Sequence, residues 1–131
     1  MKRLVQFLLL ILGFFPLSVY CAEQLQPVAL ESISYNLESS ERESIIFKLS
    51  GPAEDPNVFR LNGGKPRLVI DFPGTFYKGK NVIPVDGRKL AHGIRIGVHL
   101  SPVMKTRVVI DLSTRNDVKY ERLVSVEGTV L

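Results

Sequence analysis

From Leu30 onward the chain alternates apolar and polar side chains with a period of two, broken by turn residues roughly every eight to twelve positions. Ile33, Tyr35 and Leu37 fall on one face of a strand predicted over Leu30–Leu37. Ser39–Glu43 is polar and turns the chain. In a second strand, Ser44–Leu49, Ile45, Phe47 and Leu49 point inward and Lys48 outward. Ser50-Gly51-Pro52 and Asp55-Pro56 are strong breakers. A short strand over Asn57–Leu61 is closed by Asn62-Gly63-Gly64, and Asn-Gly suits a hairpin because both central residues must tolerate positive φ. Pro66–Phe72 is the next strand, stopped by Pro73-Gly74. Tyr77–Gly87 reads as a loop with one short edge strand around Asn81–Val85. In Gly93–Leu100, Ile94, Ile96 and Val98 alternate with Arg95, Gly97 and His99 until Ser101-Pro102 ends the strand. Thr106–Leu112, a polar turn at Ser113–Asp117, then Val118–Val124 and Val126–Leu131 complete the set. No segment after the N-terminus has the 3.6-residue period of a long amphipathic helix. Many short strands without helices predict an all-β sandwich of two small packed sheets.

One stretch repeats. Arg67-Leu68-Val69-Ile70-Asp71-Phe72 returns as Arg107-Val108-Val109-Ile110-Asp111-Leu112. In each copy the strand period puts Leu or Val, Ile, and Phe or Leu on one face, which must be core. Arg, Val and Asp take the other. Arg95, in the strand before the second copy, offers a third guanidinium near this face. The echo predicts an approximate internal two-fold repeat.

The N-terminus has the layout of an export signal. Lys2 and Arg3 are followed by an almost unbroken apolar run from Leu4 to Phe15, and then by the small residues Cys21 and Ala22. A cleavable signal peptide is expected over 1–22, cut after Cys21 or Ala22, with a short polar lead-in over 23–29 and a β domain over 30–131. The run is shorter than the ~20 residues a spanning helix needs, so no stable membrane span is expected after cleavage. A lipidated Cys21 would call for a small residue where Tyr20 stands. Export makes the expected location the periplasm, and loss of Cys21 would suit an oxidising compartment. Removing Lys2 and Arg3 from the net charge of +4 leaves +2, with no clustered basic stripe. Nucleic acid is therefore not an expected partner.

The strings Phe59-Arg60-Leu61, Pro66-Arg67-Leu68-Val69-Ile70-Asp71-Phe72-Pro73-Gly74, Ile94-Arg95-Ile96-Gly97 and Thr106-Arg107-Val108-Val109-Ile110-Asp111-Leu112 resemble the AMIN domain. That domain is the N-terminal localisation module of bacterial amidases and type IV pilus secretins. The resemblance covers about residues 28–131. It implies two packed β-sheets, a periplasmic address and binding to peptidoglycan, with secretin or pilus envelope proteins as the alternative partners. No amidase or secretin region follows within these residues, which departs from the family's usual arrangement.

No catalytic site is expected. A zinc amidase needs a His/Glu ligand set with an open position. The two histidines, His92 in a loop and His99 on a polar strand face, read as surface residues. No serine stands in a G-x-S-x-G elbow. Glu41 and Glu43 lie in a polar turn and read as solvated. No metal or cofactor is expected. A peptidoglycan binder needs cations for lactyl and peptide carboxylates, and carboxylates or amides for sugar hydroxyls. Arg67, Arg95 and Arg107 with Asp71 and Asp111 supply that inventory; the same residues also suit internal salt bridges between strands. Phe76, Tyr77 and Tyr120 are candidates for stacking on sugar rings, with Tyr77 in a loop bearing Lys78 and Lys80 the preferred one.

Overall fold

The structure, a computed structural model, describes residues 26–85, 89–113 and 118–125, and the backbone alone of 128–130. The leader expected over 1–22 and the start of the lead-in lie outside the described residues. Ten strands follow in order: β1 Val28–Leu37, β2 Glu43–Leu49, β3 Asn57–Leu61, β4 Arg67–Pro73, β5 Thr75–Phe76, β6 Val82–Ile83, β7 Ala91–His99, β8 Lys105–Leu112, β9 Leu123–Ser125 and β10 Gly128–Val130. One sheet runs β5-β1-β2-β10-β9 and the other β3-β4-β8-β7-β6. No helix occurs among the described residues, and none is long and apolar enough to cross a membrane. The chain is all-β, with the two sheets packed face to face.

The core is built from the inward positions that the alternation marks. Leu68, Ile70 and Phe72 of β4, Ile94 and Ile96 of β7, and Val108, Ile110 and Leu112 of β8 meet Leu30, Ile33, Ile45 and Phe47 of the opposite sheet. Phe47 and Phe72 touch across the gap with ring centroids 5.0 Å apart. Rings at that spacing add to the stabilisation from area burial alone. Among the described residues, the core side chains all lie between Leu30 and Val118, so the chain from Glu23 onward contains the whole of this core.

Several features differ from the sequence expectation. Leu30 and Ile33 are both buried although an odd spacing puts them on opposite faces of a regular strand. A bulge between Leu30 and Ser32 resets the phase of β1. Val28 and Ala29 already belong to β1, so the polar lead-in is shorter than expected. Pro73 does not stop β4 but closes it, opposite Lys105. Gly74 then turns with φ of 63°, a left-handed conformation that favours glycine. Thr75 and Phe76 thereby pair in parallel with Val28 and Ala29 of the other sheet. The Thr106 hydroxyl donates to the Thr75 carbonyl at 3.1 Å, and the Thr75 hydroxyl to the Phe72 carbonyl at 2.8 Å, which ties this crossover to both sheets.

A further difference is the stretch from Val118 to Arg122, which is not strand. Val118 is buried, its carbonyl accepts from the Arg60 guanidinium, and Arg122 donates to Asp55 at 2.7 Å. The segment closes the side of the sandwich between β3 and β9, and only Leu123–Ser125 pairs as strand. Glu43, expected to be solvated, instead lies in β2. Its carboxylate accepts the Leu90 and Ala91 amides at 3.1 and 2.8 Å. His92 stands within β7 at a bulge between Ala91 and Gly93, rather than in the loop before it.

The echo takes a definite form. Its two copies are neighbouring antiparallel strands of one sheet, with Arg67 opposite Asp111, Val69 opposite Val109 and Asp71 opposite Arg107. A local two-fold axis passes between the two valines. The repeat therefore relates two strands.

Candidate functional site

The strand period sends Leu68, Ile70, Val108 and Ile110 inward, so Arg67, Val69 and Asp71 of β4 and Lys105, Arg107, Val109 and Asp111 of β8 point outward. The same period adds Asn57, Phe59 and Leu61 from β3, and Arg95, Gly97 and His99 from β7, to that outer face. Five of the six residues expected to bind ligand, Arg67, Asp71, Arg95, Arg107 and Asp111, are thus brought to one surface. Tyr77 is not among them; its ring packs against the hydrophobic core.

Asp71 is the electrostatic centre of the face, with only 6% of its surface exposed. Arg107 grips it with both arms, Nε to Oδ1 at 2.6 Å and Nη2 to Oδ2 at 2.8 Å, and Lys105 Nζ reaches Oδ2 at 3.0 Å. The Arg107 hydrogen bonds hold the Asp71 carboxyl below the usual carboxylate range, against the opposing effect of burial, with Lys105 adding to the lowering. The same bonds raise Arg107, which stays charged throughout. A second bidentate pair joins Arg95 to Asp111, Nη2 to Oδ1 at 2.9 Å and Nε to Oδ2 at 3.2 Å. The Arg107 guanidinium also lies over the Phe59 ring, 5.8 Å from its centroid. Beneath these side chains Val69 is only 3% exposed, although it sits on the outward face.

Arg67 differs from its neighbours. It faces Asp111 across the β4–β8 register, but Arg95 occupies both Asp111 oxygens. Among the described residues Arg67 makes no ion pair, and its Nε is buried without a hydrogen-bond partner. The face therefore presents one uncommitted guanidinium beside two committed pairs. Three guanidinium groups and one ammonium group stand against two carboxylates, which suits a ligand bearing both carboxylates and hydroxyls.

Two contributors are not marked by the sequence pattern. Phe59 and Lys105 reach the face only through the register that sets β3 beside β4 and β8 beside β4. The period-two pattern of each strand indicates their side, but not their neighbours. Of the other aromatic candidates, Phe76 lies in β5 with Lys78 over its ring at 5.6 Å, and Tyr120 is exposed in the stretch that closes the side. His99 is exposed at the end of β7. Among the described residues no group of three or more His, Cys, Asp or Glu side chains is placed to share a metal ion.

Comparison with known families gives a match to the family described as the AMIN domain over residues 32–131. No curated protein and no solved structure gives a significant match.

Proposed function

Because the chain belongs to the AMIN domain family, we propose that it is a non-catalytic peptidoglycan-binding and localisation module of the bacterial periplasm, and that the outer face of β4, β8 and β7 is the surface that meets the wall. The observation that carries this reading is Arg67, which makes no ion pair among the described residues beside two satisfied Arg–Asp pairs. Its terminal Nη groups, not the buried Nε, are the pair that a bidentate carboxylate ligand fits. Peptide-stem and lactyl carboxylates are of that kind. The flanking Asp111, half-buried under Arg95, accepts from sugar hydroxyls with whatever lone pairs the pair leaves free. The alternative, strand addition to a secretin or pilus component, is less well supported. β5 covers β1 only at Val28 and Ala29, which leaves Leu30–Leu37 as the edge such an addition would use; the arginine-bearing face lies on the other sheet and favours the wall.

The test is co-sedimentation of the chain from Glu23 onward with purified cell-wall sacculi. The parent is expected in the pellet. Arg67→Ala should lower the bound fraction about tenfold, the loss expected for one charge-assisted bidentate contact. A parent that stays in solution at low and at moderate salt would end the wall-binding reading.

A further inference from the structure

The end of the sandwich where β7 turns into β8 has a surface unlike the Arg–Asp face. The loop 100–104 joins His99 to Lys105, which are themselves partners in the ladder. It leaves Leu100 74% and Val103 67% exposed, with Pro102 exposed between them and Val98 partly exposed below. Apolar side chains held at the apex of a hairpin contribute nothing to the core and gain only when something covers them. The loop is fastened at its base, where the Met104 carbonyl accepts the Gly74 amide at 2.9 Å.

That fastening also fixes what stands beside the apex. The chain leaves Gly74 next to Met104 and rejoins the sheet at Asn81, whose carbonyl accepts the Ile96 amide at 2.8 Å. Lys78 and Lys80, both exposed, lie on the stretch between. Lys105 and His99 stand at the foot of the hairpin. Among the described residues, the acids at this end are otherwise engaged or distant. Asp71 is held by Arg107 and Lys105. Glu54 and Asp55 lie on the 50–56 loop that leads into β3, three strands from β7, and Asp55 is paired with Arg122.

We propose that this apex is a membrane-contact point: Leu100, Pro102 and Val103 enter the headgroup layer of an anionic bilayer, while Lys78 and Lys80 meet lipid phosphates around them. A convex aliphatic tip within a collar of ammonium groups complements a negatively charged bilayer in shape and in charge. Protein hot spots are instead rich in Trp, Tyr and Arg, and the apex has none. Leu100, Pro102, Val103, Lys78 and Lys80, the residues assigned to membrane contact, are not on the wall-binding face, so the two can be tested separately.

The experiment is flotation of the chain from Glu23 onward with vesicles of phosphatidylethanolamine containing phosphatidylglycerol, and in parallel with phosphatidylcholine alone. The parent floats with the anionic vesicles and not with phosphatidylcholine, and salt reduces the floated fraction. Leu100→Ser with Val103→Ser lowers that fraction about tenfold. Lys78→Gln with Lys80→Gln does so comparably and removes most of the salt dependence. Both variants pellet with sacculi as the parent does. All four positions are exposed, so the variants should melt within a few degrees of the parent; if the serine pair unfolds, the glutamine pair decides. A parent that does not float, a parent that floats equally with phosphatidylcholine, or a folded serine variant that floats like the parent would each overturn the proposal. Loss of capture of a protein partner by the serine variant, with no flotation of the parent, would also overturn it and assign the tip to that protein.

Discussion

Asp71 is enclosed on three sides by Arg107, Lys105 and the sheet beneath it, and that enclosure sets the sign of its response to acid. Its folded pKa lies below the ordinary 3.8. A depressed folded value means that the charged form favours folding. Its contribution is therefore complete above the unfolded pKa and is lost as pH falls through the folded one. Asp71→Asn should cost about 1–3 kcal/mol near neutral pH, in the range for hydrogen bonds to charged groups. The gap between variant and parent should close as pH drops below about 4, as read from urea denaturation at both ends of that range. Arg67→Ala should behave in the opposite way. With a buried, unpartnered Nε removed, stability should stay within about 0.5 kcal/mol of the parent, while wall binding falls. That split, measured by thermal unfolding beside co-sedimentation, separates a ligand contact from a structural one. At this scale the sequence tells which side of the sheet Arg67, Asp71, Arg95, Arg107 and Asp111 occupy, because side chains alternate strictly. It does not tell which arginine takes which aspartate. That depends on strand order and register, and the two bidentate pairs run across neighbouring strands, β7 to β8 and β8 to β4. The role of Glu43 is hidden for a similar reason: its donors, the Leu90 and Ala91 amides, come from a distant part of the chain.

Among the elements, β4 and β8 form the middle of their sheet and are flanked on both sides, whereas β9 is an edge strand of three exposed residues. Opening free energies follow this difference. Amides of Leu68–Phe72 and Val108–Ile110 should exchange with solvent more slowly than those of Leu123–Ser125 by at least about a hundredfold, as followed by NMR in deuterated buffer. Comparable rates would show that the two sheets open together. Clean alternation makes β2, β3, β7 and β8 legible from the order of their residues alone. β5 is not legible in that way, because two residues beyond a Pro-Gly pair have no period to detect. Residues 118–122 alternate like a strand, yet their polar groups bond to Arg60 and Asp55 rather than to a ladder. The bulge in β1 is equally hidden, since its only trace is the odd spacing of two buried residues.

The whole molecule depends on two sheets closing on one core, and Phe47 against Phe72 is the contact that spans it. Phe47→Ala should cost about 3–5 kcal/mol, a large part of the ~5–15 kcal/mol that holds a domain folded. Calorimetry or urea titration should show a variant near the limit of folding. The pairing at the centre of the other sheet bears on how two molecules meet before either is folded. β8 is a palindrome in charge and shape. Turned end for end about Val109, it sets Arg107 opposite Asp111 of a second β8, and Val108 opposite Ile110, much as it finds on β4. In a refolding vessel, a neighbour's β8 therefore competes with the chain's own β4, at odds set by concentration. Recovery of monomer after dilution from urea should fall as protein concentration rises. Asp71→Arg combined with Arg107→Asp and Lys105→Glu keeps opposite charges between β4 and β8 but sets like charges against each other in any β8–β8 pair. It should restore the yield seen by size-exclusion chromatography, so that a charge pattern which leaves the native ladder intact decides whether crowded chains find it.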